Sequence, residues 1–180
     1  MKWKQEHSDF ISIINSNEIT LFVETWLGNK ECELLSQHHR DKFTIFYMCR
    51  RKSQQAKRNS GGLMVFVKNS VSKYITIAQQ SNEDIIWLKL STLLTNYSHD
   101  TYLCCTYVSP KGSSRLICAD MDKLELIYND ILNYKSLGYV AILGDLNSRI
   151  GTLQDYVNDN IVSDVLYSEK RQSNCRLYGE

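Results

Sequence analysis

Tyr139-Val140-Ala141-Ile142-Leu143-Gly144-Asp145-Leu146-Asn147-Ser148-Arg149-Ile150-Gly151 is a short apolar run that stops abruptly at two polar side chains two residues apart. An uninterrupted apolar run of this length reads as a buried strand. In an extended segment residues i and i+2 share a face, so Asp145 and Asn147 are expected to project together from the strand's end while Leu146 turns back to the core. A carboxylate beside an amide at a strand mouth can orient a water molecule or hold a metal ion. Asp and Asn are also favoured turn formers, and Gly144 and Gly151 mark loop boundaries on their own.

Glu24 moves the balance between these two readings, because it ends another apolar run, Ile19-Thr20-Leu21-Phe22-Val23, and is followed by Thr25-Trp26-Leu27. Two acids then sit at the ends of two candidate core strands. Further strand-like runs cover Phe43 to Cys49, Gly62 to Val67, Tyr74 to Ala78, Ile85 to Leu90 and Thr101 to Val108. With no helix read between most of them, they point to antiparallel pairing.

Helices are read in three places. Ser8 can cap a short one from Asp9 to Asn15, with Phe10, Ile11, Ile13 and Ile14 crowding one side. A polar stretch after Gly28 through His39 is a candidate helix. The longest runs from about Arg115 to Tyr134, capped by Ser113 or Ser114, with Ile117, Met121, Leu124, Tyr128 and Ile131 as its buried stripe. Asp120, Asp122, Glu125 and Asp130 fall largely off that stripe and are expected in solvent, with Lys123 among them. After Gly151 the pattern fades, and the rest reads mostly as loop with an exposed apolar edge left beside it.

At 180 residues, 43% hydrophobic and 23% charged, the chain suits one domain with an ordinary core. A net charge of +1 announces no polyanion partner, so any nucleic-acid contact must come from local clustering. The obvious cluster is Arg50, Arg51, Lys52, Lys57 and Arg58, expected on a flexible hairpin loop between two strands. It can lie along a phosphate backbone, or simply be a solvated loop.

The six cysteines form no C-x-x-C pair and no zinc spacing. Most lie in apolar segments and read as small hydrophobes in a reducing compartment, with Cys104 and Cys105 on opposite faces of a strand. The first residues are too charged for a signal peptide, and the apolar runs are too short to span a bilayer. The expected location is intracellular, nucleus or cytoplasm, with no membrane association and no secretion.

Four blocks, in order, carry a resemblance: Leu21-Phe22-Val23-Glu24-Thr25-Trp26-Leu27, Gly61-Gly62-Leu63-Met64-Val65-Phe66-Val67-Lys68, Tyr102-Leu103-Cys104-Cys105-Thr106-Tyr107-Val108-Ser109-Pro110 and Gly144-Asp145-Leu146-Asn147. Together they resemble the endonuclease/exonuclease/phosphatase superfamily, most closely the endonuclease domains of non-LTR retrotransposons. Arg171-Gln172-Ser173 and Leu177-Tyr178-Gly179 are similar to the segment that follows the active-site loop in that family. The resemblance implies an α+β layered sandwich, two stacked and mostly antiparallel sheets flanked by helices, as a single partial domain over residues 8–180. It implies Mg²⁺ or Mn²⁺ as cofactor and DNA as partner, with Glu24 binding the metal and Asp145 orienting or deprotonating the attacking water. Asn147 would hydrogen-bond the phosphate or the metal-bound water, and the Tyr107 hydroxyl would donate to a phosphate oxygen.

Two family features are not matched. The opening strand with its asparagine has no counterpart in Met1 to His7, and the closing Ser-Asp-His segment has none before Glu180. None of His7, His38, His39 or His99 stands in a matching context. The resemblance therefore implies a metal-dependent phosphodiesterase with impaired hydrolysis, or a non-catalytic remnant that acts at most as a binding module.

Overall fold

The computed structural model describes residues 8–49, 61–82, 84–110 and 123–147. Up to Leu146 these belong to one compact unit, and Asn147 alone represents a second, Asn147–Glu180. The first unit is an α+β sandwich of two sheets with helices, the architecture that the resemblance implies. In chain order its elements are α1 (Ser8–Ser16), β1 (Ile19–Val23), α2 (Asn29–His39), β2 (Phe43–Met48), β3 (Leu63–Lys68), α3 (Asn69–Ser72), β4 (Ile75–Asn82), β5 (Ile85–Leu90), α4 (Thr92–Thr95), β6 (Thr101–Tyr107), α5 (Lys123–Lys135) and β7 (Tyr139–Asp145).

One sheet has the order β1-β3-β2 and the other β4-β5-β6-β7. All pairs are antiparallel except β6 and β7, which run parallel across the connection that contains α5. A parallel pair requires such a crossover, so the helix before Asp145 is what turns its strand to run alongside β6.

Side-chain alternation sorts the strands into three apolar layers. Leu63, Val65 and Val67 of β3 meet Ile86, Leu88 and Leu90 of β5 between the sheets. Met64 and Phe66 turn outward to Phe10, Ile14, Cys32 and Leu35 of α1 and α2. Ile85, Trp87, Tyr102 and Cys104 turn the other way, to Ile127 of α5. A strand covered on both faces needs apolar residues at every position, which is why Leu63–Val67 is a continuous run. Cys104 and Cys105 do fall in different layers.

Three expectations about the helices are corrected. In α1 Phe10 and Ile14 are buried and Ile11 packs beside them, but Ile13 is 46% exposed, turned off the packed face by the helical period. The stripe on α5 is rotated: Leu124 and Tyr128 are exposed, while Ile127, Ile131 and Tyr134 pack on the sheet. Its proposed start at Arg115, with Ile117 and Met121, lies outside the described residues. Lys123 and Asp130 are not solvated as expected. Lys123 pairs with Asp84, and Asp130 accepts a 2.8 Å hydrogen bond from the Trp87 indole. Those polar partners, rather than a longer apolar stripe, decide which face of α5 turns inward.

Among the described residues no helix is long and apolar enough to cross a membrane.

Candidate functional site

Connectivity decides which strand ends lie together. Lys68 ends β3 and Ile75 begins β4, and the single-turn helix α3 joins them, so these two ends share one rim of the sandwich. Strand directions then put the ends of β1, β2, β4, β6 and β7, with the starts of β3 and β5, on the opposite rim. A bridge between the sheets agrees: Gln80, near the end of β4, donates to the carbonyl of Tyr47, near the end of β2, at 3.4 Å. Glu24, Tyr107 and Asp145 therefore come to a common rim, and β1 packs across from β6 and β7.

Glu24 leaves β1 through a strained turn. Its φ is 53° and that of Trp26 is 56°, a left-handed conformation that bulky residues rarely adopt and that costs on the order of 1–3 kcal/mol each. The turn is held by the partner hairpin: the Thr25 amide donates to Gly62 O at 3.3 Å and the Trp26 amide to Gly61 O at 2.8 Å. Gly61 and Gly62 themselves have φ of 67° and 90°. A Cβ on Gly62 would lie 2.8 Å from Thr25 Oγ1 and 3.2 Å from Met48 O, so this glycine is required both by its conformation and by the space. Glu24 and Trp26 are exposed while Thr25 and Leu27 between and after them are buried. Strain in a defined geometry with an exposed acid is the pattern of a functional turn.

On the facing sheet, Gly144 has φ of 152° and a Cβ there would run into the Thr106 carbonyl. Only glycine lets β7 approach β6 this closely, and Asp145 follows it as the last, exposed residue of the strand. Tyr107 sits opposite Asp145, and the Val108 amide donates to Asp145 O at 2.8 Å. The Tyr107 ring is 5% exposed and belongs to the core between the sheets.

The expectation that Asn147 continues on the face of Asp145 is corrected. The strand ends at Asp145, and Asn147 takes φ of 46°, so the two-residue alternation stops before it. Arg50, Arg51, Lys52, Lys57 and Arg58 lie outside the described residues, as do Arg171 to Ser173 and Leu177 to Gly179. The segment that carries the five cations nevertheless connects Met48 to Leu63, both at the rim of Glu24 and Asp145.

Two groups at this rim were not singled out from sequence. Asp84 is 2% exposed, pairs with Lys123, and its carbonyl accepts from Thr106 Oγ1 at 2.9 Å and the Tyr107 amide at 3.1 Å. Its signal is the one shared by Glu24 and Asp145, an acid abutting an apolar run, here Ile85–Leu90. Trp26 is 47% exposed.

Among the described residues no group of three or more His, Cys, Asp or Glu is placed to hold a metal ion. Mg²⁺ needs less: it is commonly held by one or two carboxylates, with water and substrate phosphate filling its remaining positions. Glu24 and Asp145, two exposed oxygen donors on one rim, suit that chemistry. The described histidines lie elsewhere. His39 packs at tilted and edge-on angles against Phe10, Phe43 and Phe66 beside the start of β2, and His99 adjoins Tyr139 at the start of β7. Burial, with the neighbouring His38 and Lys42 charges, holds the His39 pKa below its ordinary value, and its Nε2 is buried without a hydrogen-bond partner. A cavity of about 270 Å³ between α1 and the end of α2 is lined by Asn15, His38, His39 and Lys42, away from the acid-bearing rim.

Compared with known proteins, the chain matches no family model and no curated protein.

Proposed function

We propose that this chain carries a divalent-cation and phosphodiester site of the endonuclease/exonuclease/phosphatase type, closest to the endonucleases of non-LTR retrotransposons, and that its partner is DNA. The observation that carries the reading is the convergence of Glu24, in its strained turn, and Asp145, behind its obligatory glycine, at the rim where the basic segment is rooted.

Glu24 and Asp145 would hold Mg²⁺ or Mn²⁺, which when bound neutralises phosphate oxygens and favours attack by water. Asp145 would also orient or deprotonate the water, and the Tyr107 hydroxyl would donate to a phosphate oxygen as charge develops. Asn147 is the further phosphate ligand that the motif supplies. Trp26 offers an exposed ring beside Glu24 on which a base can stack. Arg50, Arg51, Lys52, Lys57 and Arg58 would follow the backbone, giving salt-sensitive binding.

The position of the described histidines favours a second reading, in which ion and DNA are bound with little or no turnover. Incubation of the full chain with supercoiled plasmid and Mg²⁺, beside Glu24→Gln and Asp145→Asn, separates the two. Nicking that chelation and both substitutions abolish supports the hydrolase. Salt-sensitive, metal-dependent binding without nicking supports the second reading, and binding indifferent to metal and to both acids refutes the site.

A further inference from the structure

Cys32, one turn into α2, and Cys49, just past the end of β2, bring their sulfurs to 3.2 Å although they are 17 residues apart in sequence. A disulfide bond is about 2.05 Å long, so little more than about 1 Å of approach separates this pair from one. Cys32 is fully buried and Cys49 is partly exposed, which gives the pair one side open to a reagent. Neither thiol is bonded in the reduced chain.

We propose that Cys32 and Cys49 form a reversible oxidation site, a dithiol that a small-molecule disulfide of the glutathione class converts to an intrachain disulfide. Cys49 is the attacking group and Cys32 the resolving one. The hydrogen bond shared by the two sulfurs, with burial adding to it, pushes the Cys32 thiol well up, and the same bond brings the more exposed Cys49 thiol down from its ordinary value. The Cys49 thiolate attacks one sulfur of the small disulfide, breaking its S–S bond and expelling one thiolate. Cys32 then loses its proton and attacks Cys49 Sγ, expelling the second thiolate. The protein loses two electrons and two protons, and the small disulfide gains both as two thiols.

Selectivity follows from the other described cysteines. Burial pushes the Cys105 thiol up to about 12 and that of Cys104 further, and the two lie in different layers. Both side chains are fully buried, so a small disulfide does not reach them, whereas Cys49 is partly exposed and has the Cys32 sulfur 3.2 Å away. The consequence is local to the acid-bearing turn. Cys49 adjoins Gly62, whose carbonyl holds the Thr25 amide, and α2 starts three residues after Trp26. A covalent bond from α2 to the end of β2 therefore ties both sides of the turn that presents Glu24. This proposal rests on the sulfur geometry and not on the nuclease reading.

The test is equilibration of the full chain in glutathione buffers of graded ratio, followed by thiol trapping and peptide mapping. A Cys32–Cys49 cross-link is expected to dominate in oxidising buffer, to revert on reduction, and to lose its selectivity in denaturant. The oxidised chain is expected to melt about 6–12 °C higher, as closing a loop of this span implies for a protein of this size. In Cys32→Ser, Cys49 should stop as a mixed disulfide with glutathione, while in Cys49→Ser, Cys32 should stay reduced. Recovery of both cysteines as free or singly glutathionylated thiols in the native chain, or cross-links spread over other cysteines, would overturn it.

Discussion

Replacing Lys123 with methionine keeps an unbranched chain of similar length but removes the ammonium beside a carboxylate that the fold buries. Asp84 is 2% exposed and Lys123 16%, so water replaces little of the lost partner. Removing one member of a buried pair costs about 3–5 kcal/mol, because the remaining charge stays desolvated. For a chain of this size that lowers Tm by about 6–20 °C. The pH dependence carries the sign. The penalty belongs to the charged form of the buried Asp84 carboxyl, so the difference from wild type is full at neutral pH and shrinks as acidification neutralises that group. Asp84→Asn combined with Lys123→Met should recover most of the loss, since an uncharged pair has no desolvated ion to strand. Urea unfolding followed by circular dichroism, at pH 7 and pH 5, reads all three chains. A Lys123→Met chain within about 0.5 kcal/mol of wild type at pH 7, or one whose deficit grows on acidification, would show that this pair does not hold α5.

Gly144→Ala should open the β6–β7 pairing, because its Cβ meets backbone rather than a movable side chain; loss of amide protection in Leu143 and Asp145 by hydrogen exchange is the readout. His39→Phe should raise stability by about 1–2 kcal/mol by removing a buried nitrogen that lacks a partner. The wild type should also lose stability as pH falls below the ordinary histidine value of 6.5, since a lowered folded pKa means the unfolded chain binds the proton first, and the phenylalanine chain should not show that slope. Trp26→Ala should weaken single-stranded DNA binding about 5- to 150-fold while Trp26→Phe retains most of it; equal loss in both would remove the stacking role.

Most strands were legible because they are largely apolar runs, Leu63–Val67 the clearest, whereas β4 continues past the apolar Ile75–Ala78 through polar residues to Asn82, an extension with no apolar signal. The helix faces were less so. On α5 the apolar residues Leu124 and Tyr128 compete with Ile127 and Tyr134 for the packed side, and what selects between them is Lys123 meeting Asp84 and Asp130 meeting Trp87. Both are tertiary contacts with no local signature in α5. The parallel strand pair was hidden for a related reason, since a crossover helix announces direction only once its two flanking strands are known to be neighbours. At the candidate site, Glu24 and Asp145 could be named from sequence, but the left-handed turn at Glu24 and Trp26 could not, because neither residue favours it and Gly61 and Gly62 impose it from another strand. Asn147 shows the converse: its motif suggested an extended pair with Asp145, and the end of the strand came one step too early.

The sharing of one divalent ion by Glu24 and Asp145 is tested most directly by titrating the full chain with Mn²⁺ and following the free-ion signal by electron paramagnetic resonance. One site should appear in the wild type, be displaced by Mg²⁺, and be lost or weakened at least about tenfold, roughly 1.4 kcal/mol, in both Glu24→Gln and Asp145→Asn. Unaltered Mn²⁺ binding in either variant, or no binding to the wild type, would contradict a joint site at that rim.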